Sequence, residues 1–261
     1  MLGGMAPEQV VVFDLETVPD LQAYRRAEGL GSLCDAETLE RLGDKFPKLP
    51  YHQIACIGAV VSERRDDGWH VCSIGAPHCG ERDERAIISS FFDRVGAGVT
   101  TLVSFNGHSF DLPVLRYRAM LHGLSGGAFG RRAYFNRYSP DSLDLCDVLS
   151  SFDSRGKVGL DALSRIMGLQ GKPEGISGKD VAAYVADGKI KEVAAYCETD
   201  VINTYRLWLR YELFSARLTP EQFKASEESL LSFIARAVER KPHLSYLIDV
   251  EATSTAGLEG A

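Results

Sequence analysis

Val10-Val-Val-Phe-Asp-Leu-Glu-Thr17 is the stretch that decides the fold. Val10 to Phe13 are β-branched or aromatic without a polar break, as a strand buried on both faces requires. Asp14 and Glu16 follow at once. Residues i and i+2 of a strand share a face, so two carboxylates stand side by side at the end of an apolar strand. Like charges that close repel and raise each other's pKa unless a cation joins them. The pattern equally fits a strand that has run out into solvent. The same spacing recurs at Asp35/Glu37 and Asp249/Glu251, so spacing alone decides little. The first copy reads as a helix start, where i and i+2 diverge by about 200°. The second follows Leu247-Ile248, which reads as a strand.

Outward from this strand the periodicity alternates. Ile54 to Val61 and Trp69 to Ile74 read as strands joined by a polar turn, Arg64 to Gly68. Glu84 to Val95 has helical spacing through Ile87, Ile88, Phe91, Phe92 and Val95. Thr101 to Phe105 is another buried strand, and Pro113 to His122 a helix ended by Gly123. Leu160 to Met167 is a short helix stopped by Gly168. Ser177 with Asp180 resembles a capping box opening a helix that ends at Gly188. Ile190 to Phe214 is the longest helical pattern, and Thr219 to Glu239 is a further helix with Pro220 at its first position. This order predicts an α/β fold, a mixed β-sheet flanked by α-helices. Thr17 to Gln53 and Gly123 to Ser142 are long and lack strand character, as functional or mobile segments do. The expectation is a single domain over 8–250 with a long insert at 17–53 and a flexible tail at 251–261. Met1 to Pro7 is expected to be poorly ordered as well.

Composition narrows the function classes. Lys plus Arg is 29 and Asp plus Glu is 36 among 261 residues, a net charge of −7. A protein that coats polyanions would be basic; a site for divalent cations needs only local carboxylates. No apolar run reaches the length of a membrane span. The six cysteines form no C-x-x-C pair, which argues against a disulfide framework or a zinc ribbon. Cys72, His78 and Cys79 come nearest to a metal cluster but lack a fourth ligand. Reduced cysteines and the absence of a basic-then-apolar leader point to the cytoplasm.

Two more acidic patterns matter. Asp111 stands in Val103-Ser-Phe-Asn-Gly-His-Ser-Phe-Asp-Leu-Pro, a strand-to-helix turn, where it also fits a plain helix N-cap. Tyr196 and Asp200 lie four apart on the long helix and share one face. Val193, Val201 and Trp208 make that helix a packed one, with the Tyr196/Asp200 side near its buried edge. A buried Tyr beside a solvated Asp fits as well.

Taken in order, a strand-end D-x-E, an N-x3-F-D turn and a Y-x3-D helix resemble the DnaQ-like 3′–5′ exonucleases of the RNase H-like fold. The tyrosine marks the DEDDy branch; the sister branch carries a His five residues before the last Asp, where Ala195 stands here. The form Asn106-x3-Phe110-Asp111 looks most like the group related to the exonuclease domain of family-B DNA polymerases. The resemblance runs from about Val10 to Tyr211. The stretch from Thr17 to Gln53 departs from it in length, and such an insert would roof the site.

The resemblance implies a set of roles. Asp14, Glu16, Asp111 and Asp200 would bind two divalent cations, Mg²⁺ or Mn²⁺. Asp14 would bridge both ions, Glu16 and Asp200 would complete one, and Asp111 would hold the other directly or through water. Tyr196 would orient the attacking water. Thr17, Asn106 and Phe110 would hold the terminal nucleotide. Asp144 is a second-layer group or only a strand-end acid. Arg116, Arg118, Arg131, Arg132 and Arg137 are candidates for backbone contacts. The substrate would be the 3′ end of single-stranded DNA or RNA, DNA favoured, with release of nucleoside 5′-monophosphates. No membrane partner is expected, and proofreading would need a polymerase or repair partner in trans. A catalytically silent nucleic-acid-binding protein and an RNA-directed exonuclease are the alternatives on the same fold.

Overall fold

The computed structural model describes residues 8–43, 46–171 and 176–249. Met1 to Pro7 and the tail at 251–261 lie outside the described residues. Among the described residues one mixed sheet is built from β1 (Gln9–Pro19), β2 (His52–Arg65), β3 (Gly68–Gly75), β4 (Thr100–Ser104) and β5 (Ser142–Asp144). The strand order is β3-β2-β1-β4-β5, antiparallel across β3-β2-β1 and parallel across β1-β4-β5.

Helices α1 (Leu21–Glu28) and α2 (Asp35–Leu42) lie between β1 and β2. Helix α3 (Glu84–Gly96) follows β3, and α4 (Asp111–Leu121) and α5 (Gly127–Arg131) link β4 to β5. The chain continues through α6 (Leu145–Leu149), α7 (Leu160–Ile166), α8 (Val181–Ala186), α9 (Ile190–Phe214), α10 (Pro220–Ala237) and α11 (Tyr246–Asp249). No helix among the described residues is long and apolar enough to cross a membrane.

The principal elements fall where periodicity placed them, and four details differ. Thr17 to Pro19 still belongs to β1, paired with β2, so the strand-free stretch begins later than Thr17. Leu247-Ile248 lies in α11, not in a strand. The helix expected from Ser177 starts only at Val181, because the Ser177 N–H and hydroxyl both bond Asp180 Oδ2, at 2.9 and 2.7 Å, in the preceding turn. Strand β5 and helices α5 and α6, three to five residues each, are too short to show a period.

The two faces of β1 are packed by different helices. Val11, Phe13 and Leu15 pack with Ile87, Ile88 and Phe91 of α3 and Leu112 and Leu115 of α4. Val10 and Val12 pack with Val201, Ile202 and Tyr205 of α9. The period of two then carries Asp14 and Glu16 onto the α9 face, one step beyond the apolar layer.

The insert is tied down by Arg118. Its guanidinium donates to Glu84 Oε1 at 2.7 Å and Oε2 at 2.5 Å, and to Asp20 Oδ2 at 2.5 Å. Glu84 Oε1 also accepts the Ile54 N–H at 2.7 Å. Asp20 caps α1, so one buried cation joins the start of the insert, its return into β2, and α3 to α4. Burial raises the Asp20 pKa, but the Ala23 N–H and Arg118 outweigh it, and the net is below the ordinary 3.8. Arg118→Ala strips Asp20 of its cation and leaves buried Glu84 with His122 alone, at 2.7 Å, and should cost about 3–5 kcal/mol in urea unfolding at neutral pH. A lowered carboxyl pKa stabilises above its unfolded value and loses that contribution as pH falls through the folded one. The gap between wild type and variant should therefore narrow below about pH 4. A gap unchanged between pH 7 and pH 3 would remove Asp20 from the clamp.

Candidate active site

The acidic end of β1 meets the start of α9. Asp14, Glu16 and Cys197 bring carboxylate oxygens and the thiol sulfur within 4.8 Å of one another. Gly58, opposite Asp14 on β2, lets the helix come this close: a Cβ there would lie 2.6 Å from Cys197 Sγ. The register shifts between Glu16 and Thr17, a bulge that re-aims the side chains next to it.

Tyr196 and Asp200 sit one helical turn apart beside this pair, and both are buried, at 8% and 6% exposure. A solvated Asp200 is thereby excluded. Burial pushes the Tyr196 hydroxyl well above its ordinary range, and the charges of Asp200, Glu16 and Asp14 push it further. The phenol thus feels three carboxylate charges and bonds Asp200, and it stays protonated.

Asp111 arrives from the other side. It is the first residue of α4, and the cap position is Phe110, so Asp111 is not the N-cap. β4 pairs with β1 only as far as Val12; beyond that, Asp111 Oδ1 accepts the Leu15 N–H at 2.8 Å. The carboxylate replaces the missing strand and lies against the backbone between Asp14 and Glu16. Burial, offset in part by its backbone hydrogen bonds and reinforced by Asp144, pushes its pKa up to about 7.

The turn before Asp111 is held by Asp144. This carboxylate, 2% exposed, accepts N–H bonds from Asn106 (2.7 Å), His108 (3.0 Å) and Cys146 (3.0 Å). Asn106 has φ of 68°, a left-handed conformation that the Asp144 bond stabilises. Its side-chain oxygen accepts from Lys157 Nζ at 3.1 Å, and Lys157 also pairs with buried Asp147 at 2.9 Å. Gly107 leaves no room for a Cβ, which would lie 2.3 Å from Ser104 Oγ. Thr17 Oγ1 bonds His52 Nδ1 at 2.9 Å, and the Phe110 ring lies 5.0 Å from the His52 ring.

These residues suit hard divalent cations: buried oxygen donors in excess of the cations around them. Cys197 is a poor thiolate, because a hydrogen bond to the Cys56 side chain, burial and the nearby carboxylates hold its thiol protonated. It donates instead to the Asp14 carbonyl and Oδ2, both at 3.6 Å. Cys72, His78 and Cys79 form no such group among the described residues.

The sequence reading offered Asp144 as a second-layer group, the role it has here, and missed Cys197, Lys157 and His52. Among the arginines, Arg118 is buried in the clamp, Arg132 pairs with Asp141 and Arg137 with Asp147. Arg116 lies over the Phe135 ring, and Arg131 is exposed.

The sequence model of a family described as predicted 3′–5′ exonucleases related to the exonuclease domain of PolB matches residues 44–249. The chain belongs to this family. The catalytic chain of DNA polymerase epsilon from Yarrowia lipolytica is 24% identical over 139 residues, 50% of this chain and 6% of that protein. The family B DNA polymerase of the hyperthermophilic archaeon Pyrobaculum calidifontis is similar in structure, with a TM-score of 0.53, 20% identity, and 90% of this chain against 30% of that one covered. Product-bound exonuclease I gives a TM-score of 0.40 at 14% identity, covering 77% of this chain and 47% of its own. This exonuclease-family chain thus has the RNase H-like fold and spans a minor part of each polymerase it matches.

The raised Asp111 pKa has a consequence for stability. Between about pH 4 and 7 the unfolded carboxyl is ionised while the folded one holds its proton, so folding binds a proton and metal-free stability falls as pH rises through this window. Asp111→Asn keeps an acceptor for the Leu15 N–H and removes the titration. We expect the variant to match wild type at pH 4 and to be the more stable protein at pH 8 without metal. Equal melting temperatures at both pH values would show that Asp111 ionises without cost.

Proposed function

We propose that this chain is a metal-dependent 3′–5′ exonuclease of the DEDDy type. It removes nucleoside 5′-monophosphates from the 3′ end of single-stranded nucleic acid, DNA favoured, within a single domain over 8–250. One observation carries the reading: Asp14 and Glu16, at the end of an otherwise apolar strand face, lie within 4.8 Å of each other and of Cys197 on α9, the helix whose neighbouring turn buries Tyr196 and Asp200.

Asp14, Glu16 and Asp200 would hold one divalent cation, and Asp111 with Asp14 a second. Bound cations there would neutralise charge on the phosphate and lower the pKa of a bound water. Tyr196, kept protonated by burial and its acidic neighbours, bonds Asp200 through its hydroxyl and would turn that proton to orient the attacking water; it is not the base. Asp144 positions the turn carrying Asn106, and Thr17 and Phe110 flank the carboxylates from β1 and α4. The acids are recessed, which favours an unpaired strand over a stacked duplex.

Tyr196→Phe removes one hydroxyl and should slow single-turnover cleavage roughly 10²-fold with metal affinity unchanged. Asp200→Asn should lose both turnover and metal binding. Matched DNA and RNA strands and a circular strand complete the experiment. Cleavage of the circle would make the protein an endonuclease, and a wild-type rate for Tyr196→Phe would return that residue to plain packing.

A further inference from the structure

Phe46 is 74% exposed, yet it is not loose. Its ring lies 4.9 Å from the His52 ring and 5.6 Å from that of Phe110, and those two meet edge-on at 5.0 Å. A singly exposed apolar residue needs no explanation. A ring pinned on two others beside a carboxylate cluster does.

The two inner rings are fixed. His52 is 2% exposed and makes two hydrogen bonds, with Thr17 Oγ1 at 2.9 Å and with the Pro47 carbonyl at 3.1 Å. A carbonyl only accepts, so Nε2 carries the proton, and Nδ1 of the neutral ring accepts from the Thr17 hydroxyl. Burial favours that neutral ring by lowering the His52 pKa. Phe110 is fixed as the cap residue of α4. The inner pair is joined to the site by the chain itself. Thr17 follows Glu16, and Phe110 precedes Asp111. Phe46, supplied by the insert, therefore adds an exposed third ring to an aromatic ledge whose inner pair is linked to the carboxylates through Thr17 and Phe110.

We infer that Phe46 is the stacking platform for the base of the 3′-terminal nucleotide, so that the site takes strand ends that carry a base and discriminates against abasic ends. The inference rests on the exonuclease reading above. An aromatic face accepts every base, so the ledge confers no sequence preference. It also gives the insert at 17–53 a function: it brings the third ring to the site.

The test is a two-by-two comparison. Wild type and Phe46→Ala are titrated, in chelator, with a fluorescent DNA strand ending in an ordinary nucleotide or in a tetrahydrofuran abasic residue. Phe46 is exposed, so the variant should fold, and circular dichroism checks it. Loss of either ring or base should weaken binding roughly tenfold, and loss of both should weaken it no further. Phe46→Trp should retain wild-type affinity. A 3′-terminal 2-aminopurine should be quenched by wild type and less so by Phe46→Ala. With metal added, KM should rise for Phe46→Ala while kcat holds. Equal binding of the ordinary end by both proteins, or losses that multiply, would overturn the platform while leaving wild-type cleavage intact. A wild type that shows the coupling but cuts no strand would overturn the exonuclease reading and keep the platform. A wild type that binds no strand would overturn both.

Discussion

Burial of like charges at the end of β1 is the constraint on which the structure turns. Glu16, Asp111 and Asp200 are each less than a tenth exposed, and Asp14 is half-buried beside them. No protein selected for stability alone would place four carboxylates there, since each loses hydration and repels the others. The fold accepts the cost because the layer beneath is strong. Val10 and Val12 pack against α9 through fully buried contacts, and the same period of two that sinks them lifts Asp14 and Glu16 into the recess. The acidic site and the apolar core are thus two ends of a single strand face.

Holding such charges in register needs rigid neighbours, and each acid has one. Gly58 admits α9 close to the sheet and Cys197 donates to Asp14, which fixes the helix one residue from Tyr196. Asp111 is anchored by the Leu15 N–H where β4 has stopped pairing. Asp144 gathers four backbone N–H groups, two from the turn before Asp111 and two from the start of α6, and its charge adds to the burial that raises the Asp111 pKa. The group that shapes the turn therefore also makes Asp111 more dependent on a cation. Placement and electrostatics reinforce each other here.

How much of this was legible in the sequence follows from the range of each interaction. Val10 to Phe13 and Ile190 to Phe214 carry strong local periods, and Asp14, Glu16, Tyr196 and Asp200 ride on them, so faces and order were readable. Asp144 was visible as an acid, but its role comes from N–H groups 36 to 38 residues away, and it ends a three-residue strand with no period. Arg118 looked like a candidate for backbone contact because a guanidinium in sequence does not reveal its burial. Its partners, Asp20 and Glu84, are 98 and 34 residues distant. Phe46 and His52 sit where the insert returns, a stretch without pattern, and their meaning depends on Phe110 from another element. Local signals located the chemistry; the long-range contacts that aim it were silent.

Charge economy ties these points together. The chain carries a net charge of −7, and cations near the site are engaged: Arg118 by Glu84 and Asp20, Arg137 by Asp147, and Lys157 by Asp147 and Asn106. On the proposed function, a polyanionic strand meets an acidic protein in which Arg118, Arg137 and Lys157 already have partners. Broad electrostatic attraction is therefore a weak source of affinity. What is left is local: cations held by the carboxylates draw the phosphate, and aromatic faces take the base. Cations in the acidic recess would offset its repulsion of phosphate, so the same carboxylates that burden folding would strengthen binding once loaded. A ledge of Phe46, His52 and Phe110 beside that recess is the arrangement such a site requires, because stacking does not depend on the sign of the surrounding charge.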